Sequence, residues 1–217
     1  VIEAIFERFG EGTRYYVEFG TEDGTETNTR LLRETKNWTG LLLDGSNFNP
    51  AINLHKEFIT ASSICQLFKK YSVPLEMDLL SVDIDMHTLN VLESILRCGF
   101  SPRVIVTEYN SALGKFTSAR VPVSMPEDAM WTGTSYFGAS ILAISKVLRR
   151  HDYHLLYADK KGCNLFHVRS DLIGGVDIAL SAWVKTKWVA PGFGLPADPA
   201  SGFLGGHRWD TDGTLTY

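Results

Sequence analysis

The sequence predicts an α/β domain of three layers, a mostly parallel sheet with helices on both faces. Three observations lead there. Apolar runs of strand length alternate with stretches of helical periodicity as far as about residue 108. Runs such as Leu79-Leu80-Ser81-Val82 and Val104-Ile105-Val106 are nearly continuous, as strands buried on both faces require. The last two strand-like runs have no helix between them, so a β-hairpin closes the pattern and inserts an antiparallel strand at that edge.

In chain order, an amphipathic segment comes first, with Ile2, Ile5, Phe6 and Phe9 on one side; because the sequence starts inside it, the chain is read as processed or as a piece of a longer protein. Strands are expected near 15–19, 41–44, 57–61, 78–83 and 103–108, with helices near 28–36, 50–56, 62–71 and 87–98. Residues 109–135 carry Gly114, Pro122, Pro126 and Gly133 and too few apolar residues for a core element; a long loop at such a place is functional or mobile. Helical periodicity returns from 137 to 150 through Ile141, Leu142, Ile144, Val147 and Leu148, with Arg149 and Arg150 in the last turn, where the helix dipole favours cations. Strands at 153–157 and 164–169 flank the turn sequence Ala158-Asp159-Lys160-Lys161-Gly162. One domain thus spans 1–217, with its core at 15–172 and an irregular extension at 173–217, rich in Gly, Pro and Asp from about Pro191.

With 217 residues, 44% apolar and 21% charged, the chain is long enough for one real core. A net charge of −4 argues against nucleic acid as the main partner. No apolar run approaches the roughly 20 residues of a membrane span. Cys65, Cys98 and Cys163 form no C-x-x-C pair, so zinc is not expected, and an odd number leaves at least one thiol free or bonded to another chain. Asn37-Trp38-Thr39 is a glycosylation sequon. His55, His151, His154, His167 and His207 have no ligand spacing and read as structural.

The stretch from Tyr15 to Gly24 organises the rest: a buried strand, a glycine turn, then a helix start near Asn28. Open α/β sheets hold adenosine-type ligands at such a junction. Gly20 and Gly24 give G-x-x-x-G, not the G-x-G-x-x-G of a dinucleotide fold, and Glu18, Glu22 and Asp23 surround the turn with negative charge. Three carboxylates repel a pyrophosphate, which disfavours NAD, and suit a ligand with an ammonium and a sulfonium, S-adenosylmethionine. The ligand-holding residues expected here are Glu18, Gly20, Thr21, Gly24 and Asn28.

Asp44, with Gly45 after it, ends the second strand about 20 residues past the glycine turn, where a carboxylate accepts hydrogen bonds from a ribose diol; the other reading is a helix N-terminal acid before Asn49-Pro50. Ala61 and Ser62 follow the third expected strand, and Ser62 also reads as an N-cap. Asp83 and Asp85 end the fourth strand on one side of it, and Glu108 and Asn110 end the next. Asp83, Asp85 and Glu108 are the candidate catalytic residues, able to take a proton from an acceptor hydroxyl, to bind a divalent cation, or to hold the methionine ammonium. Asp85 has a second reading as the cap of the following helix.

Several runs resemble the FkbM-type branch of the S-adenosylmethionine-dependent methyltransferases. They are Val17-Glu18-Phe19-Gly20 with Asp23-Gly24 and Asn28-Thr29, Trp38 to Gly45, Asp78 to Asp85, Val104 to Asn110, Phe137-Gly138-Ala139-Ser140, and Asn164 to Arg169. Together they extend from residue 15 to 172 in the family's order. The resemblance implies a Rossmann-like three-layer α/β/α sandwich with a seven-stranded sheet and an antiparallel last strand. It implies S-adenosylmethionine as cofactor, an adenine lined by the 60–62 region, and a small-molecule or glycan acceptor, usually a hydroxyl. One departure stands out. Relatives follow the acidic pair with Gly-Asn-Asp, whereas this chain has Met86-His87-Thr88. His87 then reads either as a replacement general base or as a surface residue at a helix start. The departure also leaves open a catalytically degenerate domain that serves as a cofactor-binding or interaction module.

Overall fold

The computed structural model describes residues 1–174 and 209–211. The chain runs through helix α1 (Ile2–Phe9), strand β1 (Tyr15–Phe19), α2 (Arg30–Thr35), β2 (Thr39–Asp44), β3 (Leu54–Lys56), α3 (Ile64–Lys70) and β4 (Leu79–Val82). It continues through α4 (Thr88–Arg97), β5 (Val104–Glu108), β6 (Ala119–Arg120), α5 (Ile141–Arg150), β7 (Tyr153–Ala158), β8 (Asn164–Arg169) and β9 (Asp210–Thr211). Seven strands form one sheet in the order β3-β2-β1-β4-β5-β8-β7. The first five pair in parallel, and β8 runs antiparallel to both β5 and β7, as the hairpin pattern predicts. β6 and β9 form a separate antiparallel pair.

Side-chain alternation splits the apolar residues into two clusters. Val17, Phe19, Leu41, Leu43, Leu80, Val82 and Ile105 pack with α3, α4 and α5 through residues such as Phe68, Leu92 and Ile144. Their strand neighbours Tyr16, Leu42, Leu79, Val104 and Val106 pack instead with Ile2, Ile5 and Phe6 of α1, Leu32 of α2, and Trp38. Full burial on both sides explains why these strands read as unbroken apolar runs. After β1 the chain moves outward through β2 and β3, then returns to place β4 and β5 on the other side of β1. This reversal opens a crevice beyond the C-terminal ends of β1 and β4.

The third strand departs from expectation. Residues 50–56 do not form a helix: Asn49 caps a single 3-10 turn at Pro50–Ile52, Asn53 ends it at a left-handed φ of 55°, and β3 follows at once. Residues 57–61 are not a strand, and Phe58, half exposed, lies outside the core. A local apolar cluster imitates a buried strand there; the strand itself carries one fully buried apolar residue, Leu54. Within the 109–135 loop the structure adds β6 and a 3-10 turn at Ser111–Leu113. Of the 173–217 extension, 175–208 and 212–217 lie outside the described residues, while residues 210–211 pair with β6.

At the N-terminal ends of the central strands, Asp78 is fully buried and pairs with Arg103 Nε at 3.1 Å. It also accepts from the backbone of Gly12 (2.7 Å) and Arg14 (2.5 Å) and from the Thr13 hydroxyl (3.2 Å), while Arg103 reaches the carbonyls of Phe9 and Gly10. This cluster anchors the link from α1 to β1. Cys65 and Cys98 form a disulfide across 6.3 Å between Cα atoms, tying α3 to the end of α4, and Cys163 is free. Asn37 of the sequon is exposed and Trp38 is buried. No helix among the described residues is long and apolar enough to cross a membrane.

Candidate functional site

Two cavities meet at the C-terminal ends of β4 and β5. The first, about 450 Å³, lies over the ends of β1 and β2. Its wall carries Glu22 and Glu26 from the glycine loop, Asp44 from β2 and Glu57 after β3. Asp83 and Asp85 after β4, with Glu127 from the long loop, bring the carboxylates to seven among the described residues, none of which puts a Lys or Arg into the wall. Phe58, Ile59, Ala129 and Met130 add apolar wall. The second cavity, about 420 Å³, shares Asp83 and Asp85 and continues past Glu108 to Tyr109, Trp131 and Phe137.

The glycines of the opening loop are fixed by the protein itself. Gly20 has φ 66°, and a Cβ there would run into the backbone carbonyl of Asp83, where the β1 and β4 loops touch. Gly24, at φ 85°, faces the end of the Ile52 side chain. Gly20 is therefore required by backbone approach and Gly24 by its positive φ, and a larger residue at Gly20 would strain the fold before it reached a ligand. Gly20 does line the cleft; Gly24 does not.

Glu18 is buried and accepts from the backbone of Asn28 (2.8 Å) and Thr29 (3.0 Å), the Thr29 hydroxyl (2.6 Å) and Ser81 Oγ (3.3 Å). Burial pushes its pKa up against these bonds. Its carboxyl holds the start of α2, and Glu18 is not among the residues lining the cleft. Asn28 is drawn into the same network, donating to Ser81 Oγ at 3.1 Å. Thr21 is buried with its hydroxyl unpaired among the described residues. Of the residues expected in this loop, Gly20 alone reaches the cleft, joined by Glu22.

Asp44 is nine-tenths buried at the cleft wall. Its Oδ2 accepts from Glu22 N (3.0 Å), and its Oδ1 from Ser46 N (2.7 Å), Asn47 N (2.9 Å) and Asn47 Nδ2 (3.0 Å). It thus locks the glycine loop to the turn after β2, and Gly45 lines the cleft beside it. Ala61 and Ser62 do not line the cavity. Ser62 instead binds Glu127 through its backbone (2.9 Å) and hydroxyl (2.5 Å). With β3 ending at Lys56, the residues in the position after the third strand are Glu57, Phe58 and Ile59, and these do line the cleft. The three-residue shift of the strand displaced that expectation.

Asp83, Asp85 and Glu108 do come together. Asp83 and Glu108 share a hydrogen bond. Burial, then the charge of Asp85, pushes Asp83 up to about 7; burial and both aspartates raise Glu108 well above the usual carboxylate range. Burial raises Asp85 as well. Such a pair holds one proton between two oxygens near neutrality, since like charges this close cannot both ionise. Asp85 reaches the site by a route the strand pattern does not give: β4 ends at Val82, and Asp85 has a left-handed φ of 57° at the start of a 3-10 turn. No group of three or more His, Cys, Asp or Glu side chains that could hold a metal ion occurs among the described residues.

The three departing residues are all tied into the scaffold. Met86 packs with Val121 and Tyr136. His87 is buried, not a surface residue: its Nε2 donates to the Pro126 carbonyl at 3.0 Å, which leaves Nδ1 to accept from the Asn90 amide at 3.2 Å. Asn90 Oδ1 in turn accepts from Arg120, which pairs with Glu93 at 2.8 Å. Thr88 donates to Glu108 at 3.3 Å. Met86 and His87 thus fasten the loop that carries Glu127 and Met130 to the cleft and Trp131 to the second cavity. This anchoring was invisible in the sequence because its partners lie some 30–50 residues downstream.

No family model matches the chain, and no curated protein matches it.

Proposed function

We propose that the chain is an S-adenosylmethionine-dependent O-methyltransferase of the FkbM type, built as a three-layer α/β/α Rossmann-like sandwich. The observation that carries this reading is the cleft at the sheet's switch point, lined by seven acidic side chains, of which Glu57 pairs with Lys70 behind the wall, and by no Lys or Arg among the described residues. Such a wall repels nucleotide phosphates and favours a ligand bearing a sulfonium and an ammonium. The residues of the wall suit that ligand: Glu57 would meet a ribose beside Asp44, whose oxygens hold the loops, Phe58, Ile59 and Met130 would line an adenine, and Asp83 and Asp85 would meet the charged end. When bound, S-adenosylmethionine supplies an activated methyl group. The chain's own residues align the acceptor and take its proton. His87 is held by two hydrogen bonds, so the base falls to the Asp83–Glu108 pair, whose raised affinity for a proton suits that work near neutral pH. A small-molecule or glycan hydroxyl is the acceptor class, and the net charge of −4 argues against nucleic acid.

The experiment is a thermal-shift comparison of S-adenosylhomocysteine with NAD, followed by methyl-label transfer to pools of hydroxylated compounds. A ligand at 100 times its dissociation constant raises stability by about 2.7 kcal/mol. A shift with S-adenosylhomocysteine alone, and label incorporation that falls with Asp83→Asn, support the enzyme. Cofactor binding without incorporation into any pool would instead favour a degenerate binding module.

A further inference from the structure

We propose that the second cavity takes an acceptor with a flat, apolar body and one reactive hydroxyl, a phenol, in preference to a sugar. This rests on the reading of the neighbouring cleft as the methyl-donor site. The polarity of the cavity is lopsided. Its carboxyls, Asp83, Asp85 and Glu108, gather at the end shared with the cleft, while Trp131, Phe137 and Tyr109 supply the large side chains of the rest, among small residues and Asn110. Trp131 and Phe137 stand edge to face with centroids 5.8 Å apart, an arrangement that continues naturally onto a third ring.

Apart from the Tyr109 hydroxyl and the Cys163 thiol, the polar side chains in the aromatic part are already engaged. Asn110 donates to the carbonyls of Ser135 (2.8 Å) and Phe137 (2.9 Å) and accepts from Ala112 N (3.1 Å), so its amide builds the wall. Trp131 Nε1 donates to the Thr134 carbonyl at 2.7 Å, and Ser111 and Ser135 have partners of their own. A sugar would bring several hydroxyls into this region, each weakening binding by roughly tenfold if buried unpaired. A phenol asks for one polar contact, and the carboxyl end supplies it. A volume of about 420 Å³ suits a substituted ring. In the step itself, the phenolic oxygen forms a bond to the methyl carbon and the carbon–sulfur bond breaks, its electron pair neutralising the sulfonium. The phenolic proton passes to the Asp83–Glu108 pair.

Cys163 gives a direct test, because it lines this cavity and is the free one of the three cysteines. The rate of its alkylation by N-ethylmaleimide is followed by mass spectrometry on the full chain, with and without S-adenosylhomocysteine, whose own binding is measured by calorimetry. The added compounds are 4-ethylphenol, methyl α-glucoside and 1-octanol at equal concentration. We expect 4-ethylphenol to slow labelling at least fivefold, and the glucoside and octanol to leave it within twofold. Trp131→Ala should abolish the protection and Trp131→Phe should keep it, with the affinity for S-adenosylhomocysteine unchanged in both. Protection by the glucoside, protection by octanol equal to that by the phenol, or no protection by any of them would overturn the proposal. Failure of S-adenosylhomocysteine to bind would overturn the donor-site reading, while the labelling result would still decide whether the cavity prefers a phenol.

Discussion

Strands β4 and β5 carry charged side chains at both ends, and the two ends are built on opposite principles. Where they begin, Asp78 meets Arg103, and backbone donors of the α1–β1 link complete the carboxylate's shell. Where they end, Asp83 meets Glu108, a second acid, with Asp85 close enough to raise them both. The first arrangement satisfies every charge and fastens the chain. The second keeps like charges together out of water, which lowers stability and creates a site whose proton is easily exchanged. The contrast supports the proposal that the C-terminal end of the sheet is the one used, since acids held together without a cation are what proton transfer needs and a fully paired charge is not.

The largest effect should come from breaking the satisfied end. Asp78→Ala leaves the Arg103 charge without its counter-ion and strands three donors, and we expect a loss of about 3–5 kcal/mol in denaturant unfolding. Asp83→Asn, by contrast, should cost no stability at pH 7. If the two substitutions destabilise equally, the contrast between the ends fails.

Next is the covalent tie. Reducing the Cys65–Cys98 bond, or replacing Cys98 by Ser, should lower stability by about 2–4 kcal/mol, since the bond closes a loop across 33 residues. Because such bonds persist in oxidising surroundings, the loss should appear only after a reductant is added to the wild-type chain.

The frustrated end also has a pH signature. Asp83 in the folded chain titrates at about 7, against 3.8 unfolded. Between these values the folded state binds more protons than the unfolded one. Its contribution to stability is therefore full below about pH 4 and is lost as pH rises through 7, a change on the order of a few kcal/mol. Asp83→Asn should flatten that part of the stability–pH curve, and an unchanged slope would show the pair to be solvated.

The smallest effect belongs to a control between the two ends. His167, opposite Ile105 in the register of β5 and β8, is fully buried, and neither ring nitrogen has a hydrogen-bond partner among the described residues. Burial, with His154 nearby, pushes its pKa down to about 3 from 6.5. Here the unfolded chain binds more protons between pH 3 and 6.5, so stability falls as pH drops through that range, the opposite sign to Asp83. His167→Leu should remove this, raising stability by about 2 kcal/mol at pH 5 and leaving cofactor binding untouched.

What the sequence made legible follows the same division. The strand runs around Val17, Leu42, Leu80 and Val106 were readable because burial on both faces leaves a continuous apolar signature, and the hairpin at 153–169 because its turn chemistry is local. Asp83 and Glu108 were readable as acids at the ends of apolar runs. The third strand was not, because β3 is three residues long and only Leu54 is fully buried in it, while Phe58 and Ile59 mimic a strand and in fact line the cleft. Nor could the sequence separate carboxylates that face a ligand from those that hold the loops. Glu18 and Asp44 differ from Asp83 only in which backbone donors the fold brings to them.

The central claim is that the acidic cleft selects a cationic adenosyl ligand. Its most direct test is calorimetric titration of the full chain with S-adenosylmethionine, S-adenosylhomocysteine and NAD under one buffer, at two salt concentrations. The account predicts saturable one-site binding of both adenosyl ligands, tighter for the sulfonium and weakened for it by salt, with no heat from NAD. Binding of NAD with comparable affinity, or an affinity for S-adenosylhomocysteine that exceeds that for S-adenosylmethionine and ignores salt, would contradict it.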